Sequence, residues 1–101
     1  MNLRFEDEVA EDLNPIEDKL EDRILKEIFD LEDDPLPENS YVIRLPDSTE
    51  VQCLKLQEQD RNSELNHRVT YDIEGKQVRI YGVFPREPGY REIKHKTQER
   101  L

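Results

Sequence analysis

The sequence predicts an α+β fold: two N-terminal helices packed on one face of a three- to four-stranded antiparallel sheet, followed by a short C-terminal tail or helix. Three observations predict it. Apolar residues recur at intervals of three and four before Pro37 and at every second position after it. Glu74-Gly75 separates two alternating stretches, with glycine where a hairpin turn needs positive φ. Charge divides along the chain as well. Residues 1–50 hold 17 acidic against 5 basic side chains, a balance of −12, and residues 51–101 hold 8 against 10, a balance of +2. Helices segregated on one face of an antiparallel sheet form a two-layer sandwich. The acid then belongs to the helices and the basic residues to the sheet.

The elements follow in order. Leu3 to Phe5 reads as a short strand and EDEVAEDL as a short first helix. The stronger helix is NPIEDKLEDRILKEIFDL, with Asn14 as N-cap, Pro15 at the first helical position and Glu17 three residues after the cap. Its stripe is Ile16, Leu20, Ile24, Ile28 and Leu31, widened by Leu25 and Phe29. Pro35 forbids continuation. SYVIRL, TEVQCLKLQ, HRVTYDIE and KQVRIYGVF are the candidate strands. In the second of them Leu54 and Leu56 share the face toward the helices, while Val51, Cys53 and Lys55 share the other. Arg68 joins that other, open face. QEQDRNSELN is a polar connection, PREPGY a loop stiffened by Pro85 and Pro88, and REIKHKTQERL a tail of weak helical character.

Composition narrows the class. The 101 residues make one domain, and Leu, Ile, Val and Phe number 27, enough for a thin core in a chain that is 40% charged. No run of ~18 apolar residues exists to cross a membrane. MNLRFEDEVAEDL lacks the apolar segment of a signal peptide, and Cys53 is the only cysteine, so cytoplasm is the expected compartment. His67 and His95 have no cysteine or histidine partners at ligand spacing, so neither a metal nor a cofactor is expected.

The layout resembles the RelE/ParE superfamily of bacterial and archaeal toxins. FEDEVAEDL followed by IEDKLEDRILKEIFDLEDDPLP is similar to the family's amino-terminal strand and helical hairpin. CLKL and then HRVTYDIEGKQVRIYGVFPREPGY are similar to its central strand, its arginine-bearing strand and the last strand running into an Arg…Tyr segment. The likeness covers nearly the whole chain, so residues 1–101 read as one RelE-like toxin domain. RelE-type members are ribosome-dependent endoribonucleases that cut messenger RNA and are silenced by an antitoxin. The resemblance therefore implies a cognate antitoxin, messenger RNA and the ribosome as partners. It places Lys55 at a lysine serving in acid–base chemistry, Arg68 and Arg86 at the catalytic arginines, and Tyr90 at the tyrosine that stacks on the substrate base. Cys53 departs, since some members have a second lysine there. The gap from Arg86 to Tyr90 is also shorter than in some relatives.

These residue types suit the chemistry. Cleavage by transesterification uses the RNA's own 2′-hydroxyl as nucleophile, so the protein must accept that proton, stabilise a doubly charged phosphorane and protonate the leaving oxygen. A guanidinium is always charged and matches phosphate oxygens in a fork. Lysine acts as a base where cations or burial depress its pKa, and tyrosine holds an unstacked base. The resemblance also makes His95, in the tail, a further candidate proton donor, in the manner of some relatives with carboxy-terminal histidines. Taken singly, each strand cation also reads as a solvated surface residue, and Tyr71 and Tyr81 as core packing. The net charge of −10 opposes RNA binding, which draws affinity from basic residues. Two rival readings stay open: a catalytically silent RelE-fold protein-binding module, and a ParE-like gyrase poison.

Overall fold

The computed structural model describes residues 1–58, 65–87 and 89–101. Five strands form one sheet in the order β1-β5-β4-β3-β2: β1 Asn2–Phe5, β2 Ser40–Arg44, β3 Glu50–Gln57, β4 Asn66–Glu74 and β5 Gln77–Pro85. Helices α1 (Glu8–Leu13) and α2 (Asp18–Asp30) precede β2, and α3 (Tyr90–Glu99) ends the chain. Most of the predicted polar connection, residues 59–64, and Pro88 lie outside the described residues.

Alternation sets the register as expected. Leu54 and Leu56 are buried with Val69, Tyr71, Val78, Ile80 and Val83 from the sheet and Val9, Leu13, Ile24 and Ile28 from α1 and α2. Truncating one such leucine or isoleucine to alanine typically costs ~2–5 kcal/mol. Phe29 departs from the stripe: it is 50% exposed and meets Phe5 edge-on outside the core. The hairpin between β4 and β5 turns at Gly75, φ +62, with Glu74 paired to Gln77.

Three expectations need correction. Asn14 is not the N-cap of α2. It closes α1, donating its backbone N–H to Ala10 O, and α2 begins after Glu17, without a side-chain cap. The helical run from α1 carries through Asn14, so Pro15 falls in the turn between helices. The sheet is mixed and five-stranded, because β1 adds in parallel to the outer edge of β5, with Asn2 opposite Gln77 and Phe5 opposite Ile80. Period-two patterning marks a strand but does not say which edge receives it. Thirdly, of the tail or helix expected at the C-terminus the chain forms a helix, and that helix lies on the sheet face expected to be open. Thr97 of α3 is buried against Thr70 of β4, their hydroxyls 2.9 Å apart.

A bulge makes room for that third layer. Thr70 pairs with Gly82 and Tyr71 with Ile80, so Tyr81 is an extra residue that points away from α1 and α2. It joins Ile43, Leu45, Val51 and Cys53 in a second, smaller core beneath Tyr41 and Tyr90. At Gly82 a Cβ would run into the Phe84 ring and the Arg100 guanidinium, so a side chain there would have to displace both.

Candidate functional site

The site gathers where α3 starts across the second face. Gly89, φ +139, turns the chain out of the loop after β5 and delivers Tyr90 over the sheet. Only glycine adopts that backbone readily. The Tyr90 hydroxyl accepts a hydrogen bond from Arg68 Nε at 3.0 Å and shares a short one with the Tyr41 hydroxyl of β2. Arg86 lies on the ring, Cζ 4.4 Å from its centroid, a cation–π contact. Tyr41 meets Tyr90 edge-on at 6.3 Å and accepts a hydrogen bond from Cys53 Sγ at 3.5 Å.

The predicted residues thus have different stations. Arg68 is 3% exposed. Its remaining donors reach His67 O at 2.9 Å, Asn66 Oδ1 at 3.2 Å and Gln57 Oε1 at 3.5 Å. Arg86 is half-buried, and its backbone N–H is anchored on Asn66 O at 3.0 Å. Lys55 stands directly opposite Arg68 across β3 and β4, exposed, at a shallow cleft of about 150 Å³ shared with Arg23, Glu27, Asn39 and Glu58. Directly opposed residues hold their Cβ atoms ~5 Å apart. Cys53 shares Lys55's face yet is fully buried. The expectation of an open face fails at that position, because Tyr41, Tyr81 and Tyr90 cover it.

Burial and hydrogen bonding fix the protonation of the cluster. Burial, with the hydrogen bonds to Cys53 and Tyr90, pushes Tyr41 well above the ordinary tyrosine value. Burial also acts to raise Tyr90, but the hydrogen bonds from Tyr41 and Arg68 outweigh it and hold Tyr90 below that value. Burial opposes the charge of Arg68, and the Tyr90 hydroxyl more than restores it. Burial raises the Cys53 thiol, which stays protonated.

Sequence reasoning missed Tyr41. The signal was present, since Tyr41, Ile43 and Leu45 alternate on the face that carries Cys53, but only the β2–β3 register sets Tyr41 opposite Cys53. It also missed Asp12 and Arg100. Where β1 stops, Asp12 accepts the β5 N–H of Val83 at 3.0 Å, and Arg100 donates to Tyr81 O at 3.1 Å. The two side chains join through two hydrogen bonds of 2.5 and 3.0 Å. Arg79 stays out of the site, paired with Glu6 and Glu74. Among the described residues, no group of three histidine, cysteine, aspartate or glutamate side chains is placed to hold a metal.

No protein-family model matches the chain, and no curated protein matches it. A solved structure does: the Escherichia coli toxin RelE, as a double arginine-to-alanine mutant in the free state. It superposes with a TM-score of 0.67 at 17% identity, covering 99% of this chain and 96% of that one. The chain has a RelE-like fold.

Proposed function

We propose that the protein is a RelE-like toxin, an endoribonuclease that cleaves messenger RNA on the ribosome by attack of the 2′-hydroxyl and is silenced by a cognate antitoxin. The observation that carries this reading is the convergence of Arg68, Arg86 and Tyr90 on the sheet face that also presents Lys55, in a fold shared with a toxin. Arg86 is the guanidinium with room to meet a phosphate, and it stands just beyond a rigid strand end. Lys55 is exposed and able to take the 2′ proton. Arg68 is buried and donates from each of its nitrogens to a protein acceptor, so it acts through Tyr90 rather than on the phosphate. The charge division serves the same end, with acid concentrated in the first half of the chain and the cations of the site in the second.

Expression in a bacterial host should arrest growth and translation, with new 5′ ends mapped inside messages by reverse transcription. Co-expression of a neighbouring antitoxin gene should reverse the arrest. Arg86→Ala should cut messenger cleavage ~100- to 1000-fold, the loss expected for one preorganised donor to a developing oxyanion, with an unchanged circular dichroism spectrum. Cleavage by Arg86→Ala at the native rate would remove that residue from the site. One observation favours a second reading, a catalytically silent binding module: each guanidinium nitrogen of the buried Arg68 already donates a hydrogen bond within the protein. A folded native chain that binds an antitoxin but leaves messages intact would establish it.

A further inference from the structure

Helix α3 sorts its side chains by charge. Ile93 and Thr97 are buried against the sheet, and Tyr90 and Arg100 reach the sheet from the same side of the helix. At ~100° per residue, Glu92, Lys96 and Glu99 follow on one flank and Arg91, Lys94, His95 and Gln98 on the other. The first flank is mixed, and Lys96 pairs there with Glu92 at 3.2 Å. The second flank holds no acid. Arg91 and His95 are exposed and Lys94 is half-buried. Among the described residues, neither Arg91 nor Lys94 enters an ion pair. In a chain with 25 acidic side chains against 15 basic ones, this exclusion of acid suits an anionic ligand.

The acid-free flank faces β2 and begins at the site. Gln98 Oε1 accepts the backbone N–H of Asp47, in the turn between β2 and β3, at 2.8 Å. Glu92 and Lys96 instead border a small pocket with Phe84 and Pro85 at the end of β5. Arg91 follows Tyr90 directly, and Lys94 stands one turn beyond it. Arg86 lies on the Tyr90 ring. Arg86, Arg91 and Lys94 thus form a row of cations that leads away from the site along the helix. Lys94 stands ~6 Å further along the axis than Tyr90, on the order of the spacing of successive phosphates in an extended strand. The bordering acids are Glu87, before the helix, and Asp47, at the far end, where its carboxylate accepts the N–H of Thr49. The sheet stands between this row and the acid of α1 and α2.

We propose that the Arg91–Lys94 flank of α3 is a separate RNA-binding subsite, which holds backbone phosphates of the strand to one side of the cleavage position. The subsite rests on the reading of RNA as substrate and lies outside the four residues which that reading uses. A guanidinium fork and a flexible ammonium hold phosphate oxygens without reading bases, so the subsite adds affinity and no sequence preference. These contacts lie away from the reacting phosphate and are the same before and during cleavage. They therefore lower KM and leave kcat alone. The subsite supplies locally the attraction that a net charge of −10 withholds overall.

The test measures fluorescence anisotropy of a labelled single-stranded RNA of ~12 nucleotides with 2′-O-methyl riboses, which cannot supply the nucleophile. It compares native protein, the double variant Arg91→Gln/Lys94→Gln, and the double variant Lys19→Gln/Lys26→Gln, which removes the same charge from exposed positions of α2. Each lost phosphate contact flattens the slope of log K against log salt by ~0.7. The α3 variant should therefore show a slope shallower by ~1.4 and bind ~25-fold more weakly at ~0.1 M salt, while the α2 variant binds as native protein does. On messages carried by ribosomes the α3 variant should raise KM with kcat unchanged. Equal losses in both variants would mean that net charge alone sets binding, and they overturn the proposal. So does native binding by the α3 variant, or a native protein that leaves the oligonucleotide unbound at ~0.05 M salt. If the α3 variant loses a glutamate-rich peptide but keeps the RNA, the flank belongs to an acidic protein segment and the proposal falls. Native protein that binds with the expected slope yet leaves messages intact overturns the nuclease reading and keeps the subsite. Cleavage with an unchanged KM in the α3 variant overturns the subsite and keeps the nuclease reading.

Discussion

Single residues show how far a position's chemistry depends on what covers it. Cys53 stands two residues from Lys55 on one face of β3, where a relative's second lysine would add cationic charge. In this fold it is sealed beneath Tyr41 and Tyr90. Cys53→Lys should therefore bury an unpaired ammonium and lower the urea midpoint sharply instead of speeding cleavage; unchanged stability would show that the tyrosine layer opens easily. His67 gives a pH signature. Burial first, then the Arg68 charge, holds its pKa below the ordinary 6.5, and its Nδ1 is buried without a hydrogen-bond partner among the described residues. The folded state thus binds fewer protons at this site than the unfolded one. The contribution is fully present above pH 6.5 and is lost as pH falls below it toward the folded value. Between neutrality and pH ~5.5 the urea midpoint of native protein should fall more than that of His67→Leu. Parallel curves would contradict the assignment.

At the scale of elements, the end of β5 is the joint that holds three layers together. β1 covers only its first half, and Asp12 and Arg100 satisfy the edge beyond, one from α1 and one just past α3. Their side chains are 11% and 13% exposed, so the pair is largely screened from water. Removing one partner of such a pair leaves a charge without its counterpart, at a cost of ~3 kcal/mol or more. Arg100→Met should lower stability by about that amount and free α3, read as faster amide exchange from Ile93 to Thr97. If exchange in α3 stays at the native rate, Arg100 is not what ties the helix down. The same joint explains why the tail's weak helical pattern still yields a helix. Ile93 and Thr97 gain burial against the sheet that the isolated segment lacks.

For the whole molecule, charge sets two opposed responses to salt. The formal net charge is −10, and self-repulsion of this kind weakens the compact state. Raising salt from ~0.05 to ~1 M shortens the screening length to ~3 Å, so the thermal midpoint should rise. On the proposed function, messenger binding through Lys55 and Arg86 should weaken over the same range. A thermal midpoint that falls with salt would mean that the ion pairs outweigh the repulsion. No described helix is long and apolar enough to cross a membrane.

Local pattern by itself determined the helical first third, the change to strands after Pro37, the turn at Gly75 and the face of Leu54 and Leu56. Each of these depends on residues within one element, where periodicity and turn chemistry act directly. The Arg…Tyr segment was also legible, as a resemblance. Only the tertiary structure decided that β1 pairs with β5 and that α3 closes the second face. It also decided that Tyr41, from a strand 49 residues before Tyr90, completes the hydrogen bonds at its hydroxyl. Those outcomes depend on which edges and faces remain unsatisfied once the sheet has formed, and no single stretch of the chain carries that information.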